Sequence, residues 1–316
     1  MQDRDERMLN RLKTGAGAFA CGEYLAELDT LHRSEILKDA AYDRLRRKIA
    51  AVEELFEEAE RNWNQTFYLM FFRTLGDKRN QRAYLDLARR ATYAMVLRER
   101  AVPRNVEALL LGASGLLGLY RHDTYTLDLG RDFVYLASKY GIEPMDASAW
   151  DFTRIHPANH PVLRVAQAAA FFAGHDFVME RMLDCRTPED AARLFGVEAS
   201  AYWCTHSLPA VRSQEMPKRI GTFKANLLAI NLVSILQFAY GSHTGNDLLR
   251  DRAVTLLERT PAEENVYMRG WRSAGTTPRN AFESQALLQL ATEYCSKRRC
   301  AECPIGARRI KSRAED

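Results

Sequence analysis

Apolar side chains spaced for helices run through this chain, and runs spaced for strands do not. From Ser34 to about Trp63, residues Ile36, Leu37, Ala40, Ala41, Leu45, Ile49, Val52, Leu55, Phe56 and Ala59 recur at intervals of three and four, which places them on one stripe of an α-helix. The outer face passes from basic (Arg44, Arg46, Arg47, Lys48) to acidic (Glu53, Glu54, Glu57, Glu58, Glu60), as a solvated surface does. Helical stretches follow at Asn64 to Leu75, Asn80 to Ala94 and Asn105 to Tyr120, punctuated by Gly76, Pro103 and Gly118. No run alternates β-branched and aromatic residues between turn dipeptides, and no strand-helix-strand alternation occurs.

Start signals point the same way. Thr187-Pro188-Glu189-Asp190 places a capping hydroxyl before a proline, with carboxylates in the first turn to satisfy free N–H groups and the helix dipole; Gly196 suits the stop. Thr260-Pro261-Ala262-Glu263 reads as a second capping box, and Ser284 to Tyr294 as part of a final long helix. Gly112-Ala113-Ser114-Gly115 lies in an apolar helical stretch, so its small residues predict close helix packing. Pro144, Pro157 and Pro161 remove backbone donors and disfavour helix before them, which predicts a long ordered loop over Gly141 to Pro161. The expectation is an all-α, multi-helix globular bundle: one helical unit over residues 1–316, with that proline-containing loop, a candidate subdomain seam at 141–161, and a cysteine-containing C-terminal segment.

Hydrophobic residues make up 47% and charged residues 27% of the 316, values of a globular protein able to fold alone. The start, MQDRDERMLNRLK, mixes charges and lacks the apolar run of a secretory signal. The most apolar stretch, Leu227 to Tyr240, is short of the roughly 20 residues a membrane span needs and carries Asn231, Ser234 and Gln237, so it reads as a buried helix with its amides specifying packing. The expected setting is cytoplasmic, with no membrane partner. Motif signatures of phosphate-binding loops, zinc proteases, nucleophile elbows and kinases are absent.

In a reducing compartment six cysteines are thiols or metal ligands more readily than disulfides. Cys295, Cys300 and Cys303 form C-x4-C-x2-C, a spacing whose short loops can turn several sulfurs toward one metal centre, zinc or an iron–sulfur cluster. A fourth ligand could come from Cys204 or His206, then from Cys185 or Cys21; the alternatives are a set of reduced thiols closing a helix end, or redox or disulfide chemistry. Arg154 with His160, or His156 with His160, would share a face only on a helix, which Pro157 opposes.

The net charge is +4, too small to identify a nucleic-acid binder, but its distribution is uneven. Ser296 to Arg313 holds seven basic residues, Lys297, Arg298, Arg299, Arg308, Arg309, Lys311 and Arg313, against Glu302 alone, and Arg73 to Arg104 holds nine basic against three acidic. Such density can attract phosphates by counterion release.

VEALLLGASGLLG (Val106 to Gly118), WDFTRIHPANHPVLRVAQ (Trp150 to Gln167), SAYW (Ser200 to Trp203), EENVYMRGW (Glu263 to Trp271) and SQALLQLATEYCSKRRCAECPIG (Ser284 to Gly306) together resemble the family catalogued as domain of unknown function 2851. The resemblance implies a helical fold and a bacterial origin but no activity. It also implies that longer members carry an N-terminal portion with strand character, of which this chain would hold little. Three functions remain open: a helical binding module contacting nucleic acid through the basic surfaces, with a structural metal at the C-terminus; a protein-interaction scaffold; or an enzyme with a site near 150–161. Oligomeric state is not legible.

Overall fold

The computed structural model describes residues 19–76, 78–153, 155–156 and 159–308. The chain is all-α, as expected: helix follows helix, and the described strands form one two-stranded hairpin. Two compact units divide it, residues 52–236 and residues 1–51 together with 237–316. The segment 141–161 lies inside the first of these.

The unit of residues 52–236 is built on the helix Trp63–Leu75, whose Phe67, Tyr68, Phe71 and Phe72 are completely buried. Phe71 stacks on Phe171 at 5.1 Å and 2°, Tyr68 meets Phe172 at 5.0 Å, and Phe195 closes on Phe171 at 5.5 Å. Each such ring contributes about 1.5–3 kcal/mol by leaving water, with edge and offset contacts adding to it. The Tyr68 hydroxyl donates to the Ala91 carbonyl at 2.6 Å, so the aromatic block buries no idle polar tip. Asn62 starts this helix by accepting from the backbone of Asn64 and Gln65.

Helix Pro103–Ala113 packs against both Thr124–Tyr140 and Pro161–Gly174. The expected close packing is found at Gly112, where a Cβ would lie 2.0 Å from the Phe133 ring. Gly115 ends the stretch instead of continuing to Tyr120: its φ is +71°, and a Cβ there would sit 2.1 Å from the Met145 carbonyl oxygen. The proline-containing loop is ordered where described. Trp150 Nε1 donates to the Ser114 carbonyl at 2.9 Å, and Asn80 both donates to and accepts from the Asp151 backbone at 2.9 Å. Arg154 and Pro157 lie outside the described residues.

The Thr187 box forms as read, Asp190 N–H to Thr187 Oγ1 at 3.2 Å and Thr187 N–H to Asp190 Oδ2 at 3.1 Å. The hairpin pairs His206–Leu208 with Val211–Arg212 antiparallel. It escaped the sequence reading because each arm is too short to show an alternating pattern, and its turn places Ala210 rather than glycine at a positive φ of 57°.

In the unit of residues 1–51 and 237–316, Trp271 is fully buried and donates from Nε1 to the Leu287 carbonyl at 3.0 Å. Phe19 stacks on its face at 4.1 Å. The Thr260 box is corrected. Thr260 ends the helix Asp247–Arg259 and turns its hydroxyl back to the Leu256 carbonyl at 2.6 Å, so Asn265 caps the next helix, Val266–Ser273. The final helix, Ala281–Gln289, widens into a π-turn over Leu290–Cys295. Among the described residues one helix, Thr222–Thr244, is long and apolar enough to cross a membrane; most of it is buried within the protein, as in a core helix.

Candidate functional site

A cleft of about 670 Å³ opens in the unit of residues 52–236. One wall begins at Pro161, the first residue of helix Pro161–Gly174. His160 caps that helix, its Nδ1 accepting from the Val162 N–H at 3.4 Å, while its Nε2 meets the Tyr120 hydroxyl at 3.1 Å and Phe152 stacks on the ring at 5.3 Å. Burial lowers the His160 pKa, in keeping with a ring that accepts at Nδ1 and must be neutral to do so. This is a capping histidine and shares no helix with His156.

One turn on, Leu163, Arg164 and Gln167 line the cleft. Arg164 is only 7% exposed. Its Nη1 donates to Gln167 Oε1 at 2.9 Å and its Nη2 to Asn159 Oδ1 at 2.6 Å. Both acceptors are neutral amides, and no carboxylate pairs with Arg164 among the described residues. Burial pulls its pKa down, with Tyr84 opposing, yet a guanidinium keeps its charge in any protein. A charge taken out of water without a counter-charge is costly.

The facing wall is the segment that follows the hairpin. Ser213, Gln214, Met216, Pro217, Lys218 and Arg219 contribute, then Gly221, Phe223, Lys224 and Leu227 from the start of the apolar helix. The Lys218 carbonyl accepts from Gln167 Nε2 at 3.2 Å and from the Ala199 N–H at 3.1 Å, which fastens this wall to the first. Lys224 Nζ donates to the carbonyls of Thr74 and Leu75 at 3.2 and 2.9 Å, at the negative end of the aromatic helix. Arg164, Lys218, Arg219 and Lys224 thus give the cleft four basic side chains, and no described lining residue is acidic. Of these, Arg219 is paired with Glu198. Phe223 is 65% exposed although it is large and apolar, and with Leu75, Tyr84, Ile155, Leu163 and Leu227 it makes the lining mostly apolar.

A model of the family described as protein of unknown function (DUF2851) matches residues 2–266. The chain belongs to that family. Every residue lining the cleft lies inside the segment matched to DUF2851, whereas the cysteine phrase from Cys295 to Cys303, part of the sequence resemblance, lies beyond it. No curated protein and no solved structure matches this DUF2851 chain significantly.

The six cysteines of this DUF2851 member form no disulfide. Cys295 closes the π-turn, Cys300 is exposed and Cys303 is buried. Cys21 belongs to the same unit as these three; Cys185, Cys204 and His206 belong to the other. Among the described residues no three His, Cys, Asp or Glu side chains are grouped where they could hold a metal ion. The basic residues singled out in the tail are largely engaged: Lys297 with Glu293, Arg299 with Glu302, and Arg308 with Glu35 at 3.8 Å. Arg298 stands outside an ion pair among the described residues, and Arg309 and Lys311 lie outside those residues. In the earlier basic stretch Arg89 holds Glu58 at 2.7 Å and Arg104 holds Asp132 at 2.6 Å. Sequence counting missed this because helical partners three, four or many residues away neutralise charges that look unopposed in a window.

Sequence reasoning placed a candidate enzyme site near 150–161, and the cleft borders that loop through Ile155, His156 and Asn159. It did not single out Arg164, Gln167 or Lys218. The available signal was an arginine and a glutamine three apart on the buried face of an otherwise apolar helix, PVLRVAQAAAFF.

Proposed function

We propose that this chain is a helical binding module whose cleft takes an anionic ligand with an apolar body. The carrying observation is Arg164, a buried guanidinium held by two neutral amides at the wall of a cleft with no described acidic lining. An entering carboxylate or phosphate supplies the missing counter-charge, and in a water-poor site a bidentate pair with a guanidinium is strong and directional. Lys218 adds a second charge, and the apolar remainder of the lining favours a ligand that is more than a bare ion. A nucleic-acid contact through the tail has less support, since Lys297, Arg299 and Arg308 already face carboxylates. The test is a thermal-shift series with phosphate monoesters and carboxylates of rising apolar bulk. Stabilisation that grows with bulk and disappears in Arg164→Met carries the reading; equal shifts in both proteins end it.

A further inference from the structure

Phe177 is large, apolar and 73% exposed, and its backbone lies in the left-handed region with a φ of 51°. A bulky side chain avoids that region, and residues held there gather at ligand clamps and other functional sites. Its neighbours hold it in place. The Asp176 carboxylate is paired with Arg100, and the Asp176 carbonyl accepts from Arg181 Nε at 2.8 Å. The Phe177 carbonyl then accepts from the Arg181 N–H at 3.0 Å, where the helix Val178–Asp184 begins. An aromatic ring is thereby kept in water although hydration and backbone geometry both oppose it.

The ring borders a pocket of about 640 Å³ that lies in the same unit as the cleft and shares no described residue with it. That volume suits a small organic ligand. The polar lining is mixed. At the start of helix Trp63–Leu75, Asn62 Oδ1 accepts from the N–H groups of Asn64 and Gln65 at 2.9 and 3.2 Å, and Gln65 Oε1 accepts from the Tyr93 N–H at 3.0 Å. An amide accepts through its oxygen, so these bonds fix which end is which, and the end each side chain has left over is an NH2 donor. Glu180 supplies the reverse, a carboxylate with no hydrogen-bond or ion-pair partner among the described residues. The other acid of the lining, Asp176, is already balanced by Arg100.

Donors and acceptors together beside an exposed ring select among ligands. An anion would meet Glu180, and a cation would meet the amide NH2 groups and Arg100. A hydroxyl both donates and accepts, so a neutral polyol satisfies both kinds of group. A sugar ring adds what the phenyl ring lacks, a face of C–H groups wide enough to cover it and take it out of water. We propose that this pocket is a carbohydrate site, in which Phe177 is the platform for one face of a pyranose while Asn62, Gln65 and Glu180 hold its hydroxyls. Neither Arg164 nor any other residue lining the cleft takes part, so the two sites can be lost separately.

The full chain is mixed with glucose, galactose, mannose, N-acetylglucosamine and the α- and β-linked disaccharides of each, and saturation transfer to the sugar protons is read by NMR. The expected result is transfer to the C–H protons of one face of at least one sugar, little changed by salt because the ligand is neutral. Phe177→Gly should lose that transfer while melting no lower than the unaltered protein, since glycine takes a positive φ without strain. Glu180→Gln, at an exposed position, should weaken the transfer, and Tyr135→Ala, which removes an exposed aromatic ring from helix Thr124–Tyr140, should leave it intact. The proposal is overturned by no transfer to any of these sugars, by undiminished transfer in Phe177→Gly, or by tetramethylammonium binding more tightly than every sugar tried.

Discussion

Trp203 Nε1 donates to Glu107 Oε1 at 2.7 Å, joining two fully covered side chains of the unit 52–236. The other carboxylate oxygen accepts from the Tyr125 hydroxyl at 2.9 Å, and that hydroxyl also meets Ser200 Oγ at 2.9 Å. Burial raises the Glu107 pKa, with the hydrogen bonds of Trp203, Ser200 and Tyr125 opposing. A carboxyl whose folded pKa is raised favours folding most when protonated, so its contribution is complete below its unfolded value and is lost as pH rises through the folded value. Glu107→Gln, which keeps both a donor and an acceptor, is expected to flatten that acid-side dependence and leave stability at neutral pH unchanged or higher. Trp203→Phe removes a donor from a buried acid and should cost about 1–3 kcal/mol. Urea denaturation across pH checks both.

Arg164 gives an outcome of unusual sign. Replacing an unbalanced buried charge by an apolar side chain of similar volume is often neutral or stabilising, so Arg164→Met should keep or raise the melting temperature of the ligand-free protein. The same change should abolish stabilisation by anions. A variant that is less stable and still responds to anions would show that the guanidinium serves packing alone.

His160 predicts the opposite pH response from Glu107. Its folded pKa is lowered by burial, so the stability it gives is present above its unfolded value of about 6.5 and is lost as pH falls through the folded value. Protonation would place a hydrogen on Nδ1 and cancel the cap on Val162, at about 1 kcal/mol for a helix start. His160→Asn, a strong capping residue, is expected to hold the helix and remove the pH dependence. The ring signals of His160 in a pH titration, together with melting curves of the variant, decide it.

Gly112 tests the helix packing. Alanine there drives a methyl into the Phe133 ring, and overpacking of this kind costs about 1–3 kcal/mol. Gly118 has nothing near its Cβ position, so Gly118→Ala should be close to neutral. Comparing the two midpoints in denaturant separates close approach from helix propensity.

The helices were legible because their apolar residues repeat at the helical period over many turns, and Thr187 with Asp190 carried an unambiguous start. Thr260 misled because a threonine before proline also suits the end of the preceding helix, where its hydroxyl found Leu256. The site was only half legible. The proline loop marked the neighbourhood, but Arg164 acquires meaning from its burial and from partners at positions 159 and 167, and Lys218 from a hairpin too short to leave a pattern. The cysteine spacing announced three sulfurs, but spacing along the chain does not fix where the sulfurs lie, and among the described residues no three such side chains are grouped where they could hold a metal ion.

One unit is assembled from two separated stretches, residues 1–51 and 237–316, while residues 52–236 are continuous. A ribosome delivers the continuous portion whole before the other is complete. Residues 1–51 must then wait, unsatisfied, for residues 237–316, and a chain that stalls before these are made leaves residues 1–51 exposed to proteases after the continuous unit has folded.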